Sequence, residues 1–575
     1  MNNRLYILFP IVNQNELTEV VVNNSITEIV SLAKNINPLV IPASVKIIDN
    51  AIDYKEISSN AIQHYTDFVA NFSTTKILNN QTIRAIKYVN LPLYWLTPFA
   101  IKHPYLHWLY NNFLMKEFLS SSTNKTLEHN IYLPKQYAYL NDFLASFYTS
   151  FKVSFLGQKK SPQKSKMIKN HLLNVYKILK TQTLKKNNQK HETVFFDTGN
   201  KSSYIGKIFE TFKENNVLPN NAELVQPFNW KFNLPINAAY CASKPSLKQL
   251  LGVLKTSLTI KTLLKKYNKN ITVNGISFNT NIVLIEIENI LTNKSHLLYN
   301  YLWLTNYFKK NRSTKKVFFE DEFYVSGRLI SAAQKNTNSL IKTMGVQHGF
   351  FSDFHTVYHI SDAEINELEL NKNDGLPLPS IFITWGDYFS EQFLKNNSLN
   401  KTFVRAVGNP LYLFDEHIKK QPNEQFTILY CLTSETLFYK ELPIVQQLLK
   451  NYKDVKLVVR NHPNFKFTVS QQLFNKHIKV AASSNSNLNQ DMAKADLILT
   501  SAHSTIFLDA IHNQTPVLRL KTNIADSSMD INSSFCKTIT EHDIITSNNN
   551  EIYTDELSNL FLYQNKEGWL DLIKI

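Results

Sequence analysis

Cysteine is scarce in this 575-residue chain: Cys241, Cys431 and Cys536 are its three, far apart in sequence. Such spacing fits neither a disulfide framework nor a zinc cluster, and it points to a reducing, cytoplasmic setting. No stretch supplies the ~20 consecutive apolar residues that a membrane helix needs. The nearest, Val89 to Leu114, is broken by Lys102, His103, His107 and prolines. The N-terminal apolar run is interrupted at Pro10 and followed by polar and acidic residues, so it reads as a buried first strand instead of a secretory signal. There is no Gly-x-Gly-x-x-Gly and no Walker lysine loop, which disfavours dinucleotide dehydrogenases and P-loop enzymes. No aspartate pair at a strand end suggests a magnesium–diphosphate site, and no cluster has zinc spacing, so chemistry without a metal or other cofactor is expected.

What is present is a large apolar content, 43% of residues with 12% aromatic, enough for two or three packed domains. Acidic residues are outnumbered, giving a net charge of +16. Between residues 152 and 190 there are eleven lysines and no acid. No helix-turn-helix, zinc finger or RNA-recognition pattern accompanies them, so nucleic acid is not expected as a partner. An anionic membrane surface at the inner face of the plasma membrane fits the aromatic neighbours, and a solvated basic linker accounts for the lysines as well.

Strand-like and helical patterns alternate along much of the chain, the signature of parallel α/β sheets. Residues 1–150 form an N-terminal α/β or helical region of unassigned role, and 151–190 the basic linker. The second half divides into α/β units at 191–395 and 396–575. In the latter, strands are expected at 426–431, 455–459, 496–500 and 516–520, with helices at 441–451 and 505–512. Glycine is used sparingly, yet six of the twelve fall between Gly327 and Gly408. Clustering of that kind suits a backbone shaped around a cleft, although ordinary turns explain part of it.

In open α/β sheets ligands bind beyond the carboxyl ends of the strands, so the residues that follow each strand are the candidates. After 455–459 comes Arg460-Asn461-His462-Pro463, whose cationic groups suit phosphate oxygens. After 496–500 comes Ser501-Ala502-His503-Ser504-Thr505, opening a helix with Asp509 one turn in. Helix capping alone explains these hydroxyls; a bound phosphate explains them too. Thr433 and Ser434 follow 426–431 in the same way. In the preceding unit Glu320-Asp321-Glu322 ends a strand, and His348 sits between Gly345 and Gly349 in a glycine-flanked turn. Removing a proton from a sugar hydroxyl requires a carboxylate or imidazole of this kind.

Taken in order, Gly345-Val346-Gln347-His348-Gly349, Pro377-Leu378-Pro379, Trp385-Gly386, Val407-Gly408-Asn409-Pro410, Arg460-Asn461-His462-Pro463 and Ser501 through Asp509-Ala510 form a series. It resembles that of bacterial capsule and lipopolysaccharide glycosyltransferases of the GT-B fold, in particular the CMP-Kdo and CMP-sialic acid transferases, and that of the CDP-glycerol glycerophosphotransferases. The resemblance covers residues 315–520. It implies two facing Rossmann-like domains and transfer of a sugar from a nucleotide-activated donor, CMP-sugars favoured, to a surface glycan or lipid-linked acceptor. It implies inversion without a metal, and a nucleotide-sugar as substrate, not cofactor. Donor binding is implied for Gly408, Asn409, Thr433, Ser434, Arg460, His462, Pro463, Ser501, Ser504, Thr505 and Asp509. The base is implied to be Asp321, Glu322 or His348; the acidic triplet is followed by Phe323, where some sialyltransferases carry glycine. Gly408-Asn409-Pro410 and His462-Pro463 also resemble UDP-N-acetylglucosamine 2-epimerases. A non-catalytic membrane-surface scaffold of the same fold is the third reading.

Overall fold

The computed structural model describes residues 4–8, 14–31, 41–48, 54–102, 107–121, 129–134, 137, 140–148, 153–156, 171, 173–175, 191–197, 203–225, 245–337, 340–351, 355–365, 374–414, 419–450, 453–462, 467–483, 487–502, 504–522, 536–539 and 566–573. Three all-parallel sheets follow one another along the chain. The first contains β1 (Arg4–Ile7), β2 (Glu28–Ser31), β3 (Lys46–Ile48), β4 (His129–Tyr132) and β5 (Val153–Leu156), in the order β3-β2-β1-β4-β5. The N-terminal region is therefore α/β.

The middle sheet contains β6 (Thr193–Phe196), β7 (Ala222–Val225), β8 (Lys316–Phe319), β9 (Lys342–Val346), β10 (Ile381–Thr384) and β11 (Val404–Ala406), ordered β7-β6-β8-β9-β10-β11. The last contains β12 (Thr427–Cys431), β13 (Val455–Arg460), β14 (Ile478–Ala482), β15 (Leu497–Ser501), β16 (Val517–Leu520) and β17 (Cys536–Ile539), ordered β14-β13-β12-β15-β16-β17. Parallel sheets are covered by helices on both faces, which is why β6 and β12 are buried at every residue and read as unbroken apolar runs. The middle and C-terminal sheets are two Rossmann-like units, as expected from the sequence.

Strand order sets where ligands can sit. It reverses between β6 and β8 in the middle unit and between β12 and β15 in the C-terminal unit, and a crevice opens at the carboxyl ends of such neighbours. The acidic triplet follows β8, while Thr433 and Ser504 follow β12 and β15. The acidic triplet, Thr433 and Ser504 thus lie at reversal points, whereas His348, Gly408 and His462 follow other strands.

Seven helices matter below: α1 (Tyr54–Thr74), α2 (Tyr204–Glu214), α3 (Leu247–Tyr267), α4 (Val325–Asn336), α5 (Glu435–Leu449), α6 (Ile506–His512) and α7 (Lys566–Ile573). The boundary between the two units differs from the one drawn at residue 396. β11 pairs with β10, so it belongs to the middle sheet. The terminal helix α7 also returns to that unit: Trp569 packs 5.4 Å from Phe212, and the Leu572 carbonyl accepts from Lys316 at 2.7 Å. Buried β10 requires a neighbour on its outer side, and the three-residue run of β11, mixed in polarity, does not announce itself as one.

The N-terminal region is fused to the middle unit through one continuous core. Phe68 and Phe72 of α1 meet Phe278, on a hairpin of the middle region, with ring centroids 5.4 and 5.0 Å apart. Beside this aromatic layer lies a buried ion pair, Lys102 to Glu364 at 2.8 Å, with side chains 2% and 0% exposed. Lys102 adopts a left-handed backbone with φ of 56°, and its carbonyl accepts from Thr356 at 2.9 Å. Arg328 of α4, also buried, donates to the carbonyls of Trp95, Ala100 and Phe323. Removing one partner of a buried pair strands the other charge away from water. Lys102→Met is expected to cost roughly 3–5 kcal/mol in denaturant unfolding, with the second change Glu364→Leu recovering most of it. A loss under about 1 kcal/mol for the single variant would show that water reaches Glu364.

Candidate functional site

The first edge of the site is built on the turn after β8. Its three acids face three different environments. Glu320 caps α2, accepting from the Tyr204 and Ile205 backbone at 2.7 and 3.2 Å and from the Ser203 hydroxyl at 3.3 Å. Glu322 is fully buried; it accepts from the Tyr358 hydroxyl at 3.0 Å and lies 3.3 Å from Nδ1 of His348. Asp321 alone remains open, 36% exposed, with Ser326 donating to one carboxylate oxygen at 3.1 Å and His348 Nε2 3.4 Å from the other. Its φ of 60° is left-handed, a conformation that aspartate tolerates better than most residues and that presents its carboxylate outward.

Two glycines make this turn possible. A Cβ on Gly345 would lie 2.6 Å from Cβ of Glu322, and one on Gly327 would lie 2.6 Å from the Glu322 carbonyl oxygen. The acidic turn is wedged between β9 and the start of α4, with room for neither methyl group. Around Gly349 nothing lies within 4 Å of the corresponding position. Gly345→Ala is therefore expected to destabilise the fold by about 1–3 kcal/mol while Gly349→Ala changes it little. Equal melting temperatures for the two variants would contradict the wedge.

His348 lies between two carboxylates. Burial disfavours its charge, but the hydrogen bond and charge of Glu322, with the charges of Asp321 and Glu320, outweigh that cost and lift its pKa to about 9. It is an imidazolium at neutral pH, a donor from both ring nitrogens. Because the folded pKa is raised, the clamp contributes its full stability below pH ~6.5 and loses it as pH rises through about 9. The stability gap between wild type and His348→Gln, on the order of 1–3 kcal/mol at pH 6, should shrink between pH 7 and 10. A gap that stays constant with pH would contradict the charged form.

The second edge is the carboxyl end of the C-terminal sheet. Glu441 of α5, 1% exposed, accepts from the Tyr430 hydroxyl at 2.6 Å and from the Ser501 hydroxyl in a short bond. Ser501, its proton committed to that carboxylate, accepts from Thr433 at 3.0 Å. Thr433 therefore presents lone pairs, not a proton, to the surface beyond it. Ser434 caps α5 by accepting from the Leu437 backbone at 3.2 Å, and Ser504 accepts from the Ile506 backbone at 3.4 Å. Thr505 precedes α6 without a side-chain cap bond. His462 is exposed just past β13.

Other expected donor residues have different surroundings. Arg460 is bound through Nη1 to the buried Asp491 at 2.6 Å, and Ser483 donates to the same carboxylate. Ser501 is fully buried beneath Thr433. Gly408 and Asn409 lie at the end of β11, on the middle unit: the Gly408 carbonyl accepts from Trp569 at 3.2 Å and Asn409 accepts from Tyr204 at 2.6 Å. Gly408 has φ of 96°, a turn that only glycine makes without strain. Asp509 accepts from Tyr412 at 2.6 Å and so ties the two units together. Pro463, His503 and most of the basic stretch 151–190 lie outside the described residues.

An aromatic contact links the segments that carry the two edges. Phe350, two residues beyond His348, meets Phe507, two residues beyond Thr505, with ring centroids 5.5 Å apart at 84°. Buried Arg519 lies under both rings, 4.5 Å from Phe507 and 5.9 Å from Phe350, and donates to the Ala502 carbonyl. Sequence reasoning missed Glu441, Tyr412 and Tyr358. Glu441 left one signal, an acid placed among Phe438, Ile444, Val445 and Leu448 on the buried stripe of α5. Among the described residues no group of three His, Cys, Asp or Glu is placed to hold a metal, and no helix is long and apolar enough to cross a membrane.

No family model matches the sequence, and no curated protein does. Solved structures with a similar course include MurG of Acinetobacter baumannii, at 11% identity and a TM-score of 0.32, covering 67% of this chain and 99% of that one. The lipopolysaccharide outer core galactosyltransferase WaaB, in its apo form, shows 12% identity and 0.33, covering 67% and 93%. A Listeria monocytogenes chain described as a UDP-N-acetylglucosamine 2-epimerase shows 12% and 0.31, covering 58% and 79%. At these values the likenesses assign neither activity nor substrate.

Proposed function

We propose that this protein is a glycosyltransferase that moves a sugar from a nucleotide-activated donor, a CMP-sugar by preference, to a glycan or lipid-linked acceptor of the cell surface. The observation that supports this reading is the Phe350–Phe507 contact, which joins the segment after β9 to the helix after β15. One edge offers an open carboxylate, the other hydroxyl and imidazole donors without a strong nucleophile.

In this reading Asp321 takes the proton of an acceptor hydroxyl as its oxygen bonds to the anomeric carbon. The bond from that carbon to the donor phosphate breaks, and the nucleotide leaves with the electron pair. One base and no second nucleophile make the expected outcome inversion. Glu322 and His348 are positioning residues: the imidazolium fixes the direction of the Asp321 carboxylate. Ser434, Ser504, Thr505 and His462 donate to the departing phosphate, stabilising charge that grows in the transition state. Thr433, which offers lone pairs, suits a ribose hydroxyl or a base amino group. Arg460 orders the edge through Asp491 instead of touching the phosphate. Gly408 and Asn409 shape the crossover between the two units.

A thermal-shift panel of CMP, CDP, UDP, GDP and their sugars tests the reading, with one nucleotide class expected to raise the melting temperature by several degrees. Asp321→Asn should retain that shift while turnover falls by roughly 10²–10⁴-fold. Absence of any nucleotide response, or formation of an epimer from UDP-N-acetylglucosamine without acceptor, would overturn it.

A further inference from the structure

Ten large hydrophobic side chains are strongly exposed among the described residues, and six of them gather around one helix. α3 buries Leu250, Val253, Ser257, Ile260, Leu264 and Tyr267 against the protein. Its outer face carries Leu247, Leu251 and Leu258, 54%, 51% and 44% exposed, with half-buried Leu254 between them. These four are spaced i, i+4, i+7 and i+11, a single stripe along the helix. Leu263, 40% exposed, lies further along. Two elements packed on α3 carry exposed apolar residues of their own. Val89, 64% exposed, caps the turn of the short hairpin Lys87–Pro92 with a left-handed φ of 56°, an unfavourable conformation for a β-branched residue. Ile285, 37% exposed, stands one turn from Glu288, which reaches across to Lys261 of α3 at 2.7 Å.

The charge carried by α3 itself has one sign. α3 contains Lys248, Lys255, Lys261, Lys265 and Lys266 and no acidic residue. Apart from Lys261, none of these lysines is paired with a described carboxylate. Exposed leucines in a contiguous row are uncommon on a surface that meets only water. A second copy docking α3 on α3 would set lysine against lysine. Leucines flanked by long cationic side chains match instead a surface that is apolar within and anionic at its boundary.

We propose that α3, with Val89 and Ile285 beside it, is the face by which this protein lies on a bilayer containing anionic lipid. The leucine stripe enters the acyl boundary and the lysines meet headgroup phosphates. The proposal is independent of the transferase reading, since it concerns the outer face of a helix that supplies none of the residues of the cleft.

Sedimentation of the full-length protein with phosphatidylcholine vesicles, with and without phosphatidylglycerol, tests it. Binding is expected only with the anionic lipid, weakening as salt rises. Leu251→Asp with Leu258→Asp should lower the partition coefficient roughly tenfold or more, at an unchanged melting temperature. Replacing Lys248, Lys255, Lys265 and Lys266 by glutamine should weaken binding to a similar extent. Equal binding to neutral and anionic vesicles, or anionic binding that survives the two aspartates and so resides elsewhere in the chain, would overturn the proposal. A concentration-dependent dimer abolished by the same aspartates would overturn it too, assigning the face to a second copy. Asp321→Asn should bind vesicles like the wild type, so a failed transferase assay leaves this measurement intact.

Discussion

A carboxylate shut away from water organises the candidate site. Glu322 has no exposed surface, and a charge in that position persists only with partners. Tyr358 and His348 supply them, and each comes from a different part of the middle unit. Satisfying Glu322 therefore fixes the direction of the imidazole, and the imidazole fixes the open carboxylate of Asp321. The close approach that permits this depends on the missing side chains of Gly327 and Gly345. Packing, hydrogen bonding and proton affinity are here one arrangement seen at three levels.

The opposite edge follows the same logic with neutral groups. Buried Glu441 takes two hydroxyl protons, and a chain of donors then decides which way the Ser501 and Thr433 protons point. Of the hydroxyls at these strand ends, Ser501 is consumed within the protein and Thr433 is left as an acceptor. A list of polar residues after strands hides that distinction, because every serine and threonine can both give and accept a hydrogen bond. Arg460 illustrates the point with charge: a strand-end arginine suits phosphate, yet its Nη1 is already bonded to Asp491.

Holding two edges at a fixed separation requires contact between units, and aromatic residues adjoining the site provide it. Phe350 and Phe507 meet over Arg519, Tyr412 reaches Asp509, and α7 returns to the middle sheet. The N-terminal region, joined to the middle unit by its aromatic layer and the Lys102–Glu364 pair, extends the same body. α3 and the hairpin at Val89 belong to its outer surface, where apolar side chains stand exposed.

Local pattern in the chain was enough to announce the α/β class, most strands of the C-terminal sheet and the strand-end positions of Asp321, His348, Thr433, His462 and Ser504. Buried parallel strands are continuous apolar runs, and ligand-facing loops follow them directly, so both leave short-range traces. β9, β11, β14 and β17 escaped because each is short or mixed in polarity and becomes a strand only beside a neighbour. Which acid stays open, which arginine is already paired, and which hydroxyl has a proton to give depended on partners far away in sequence: 26 residues separate Glu322 from His348 and 60 separate Glu441 from Ser501. The sequence by itself determined the elements and the chemical types at their ends. Only the tertiary structure decided their partners and their exposure, because both are set by neighbours that the fold brings together.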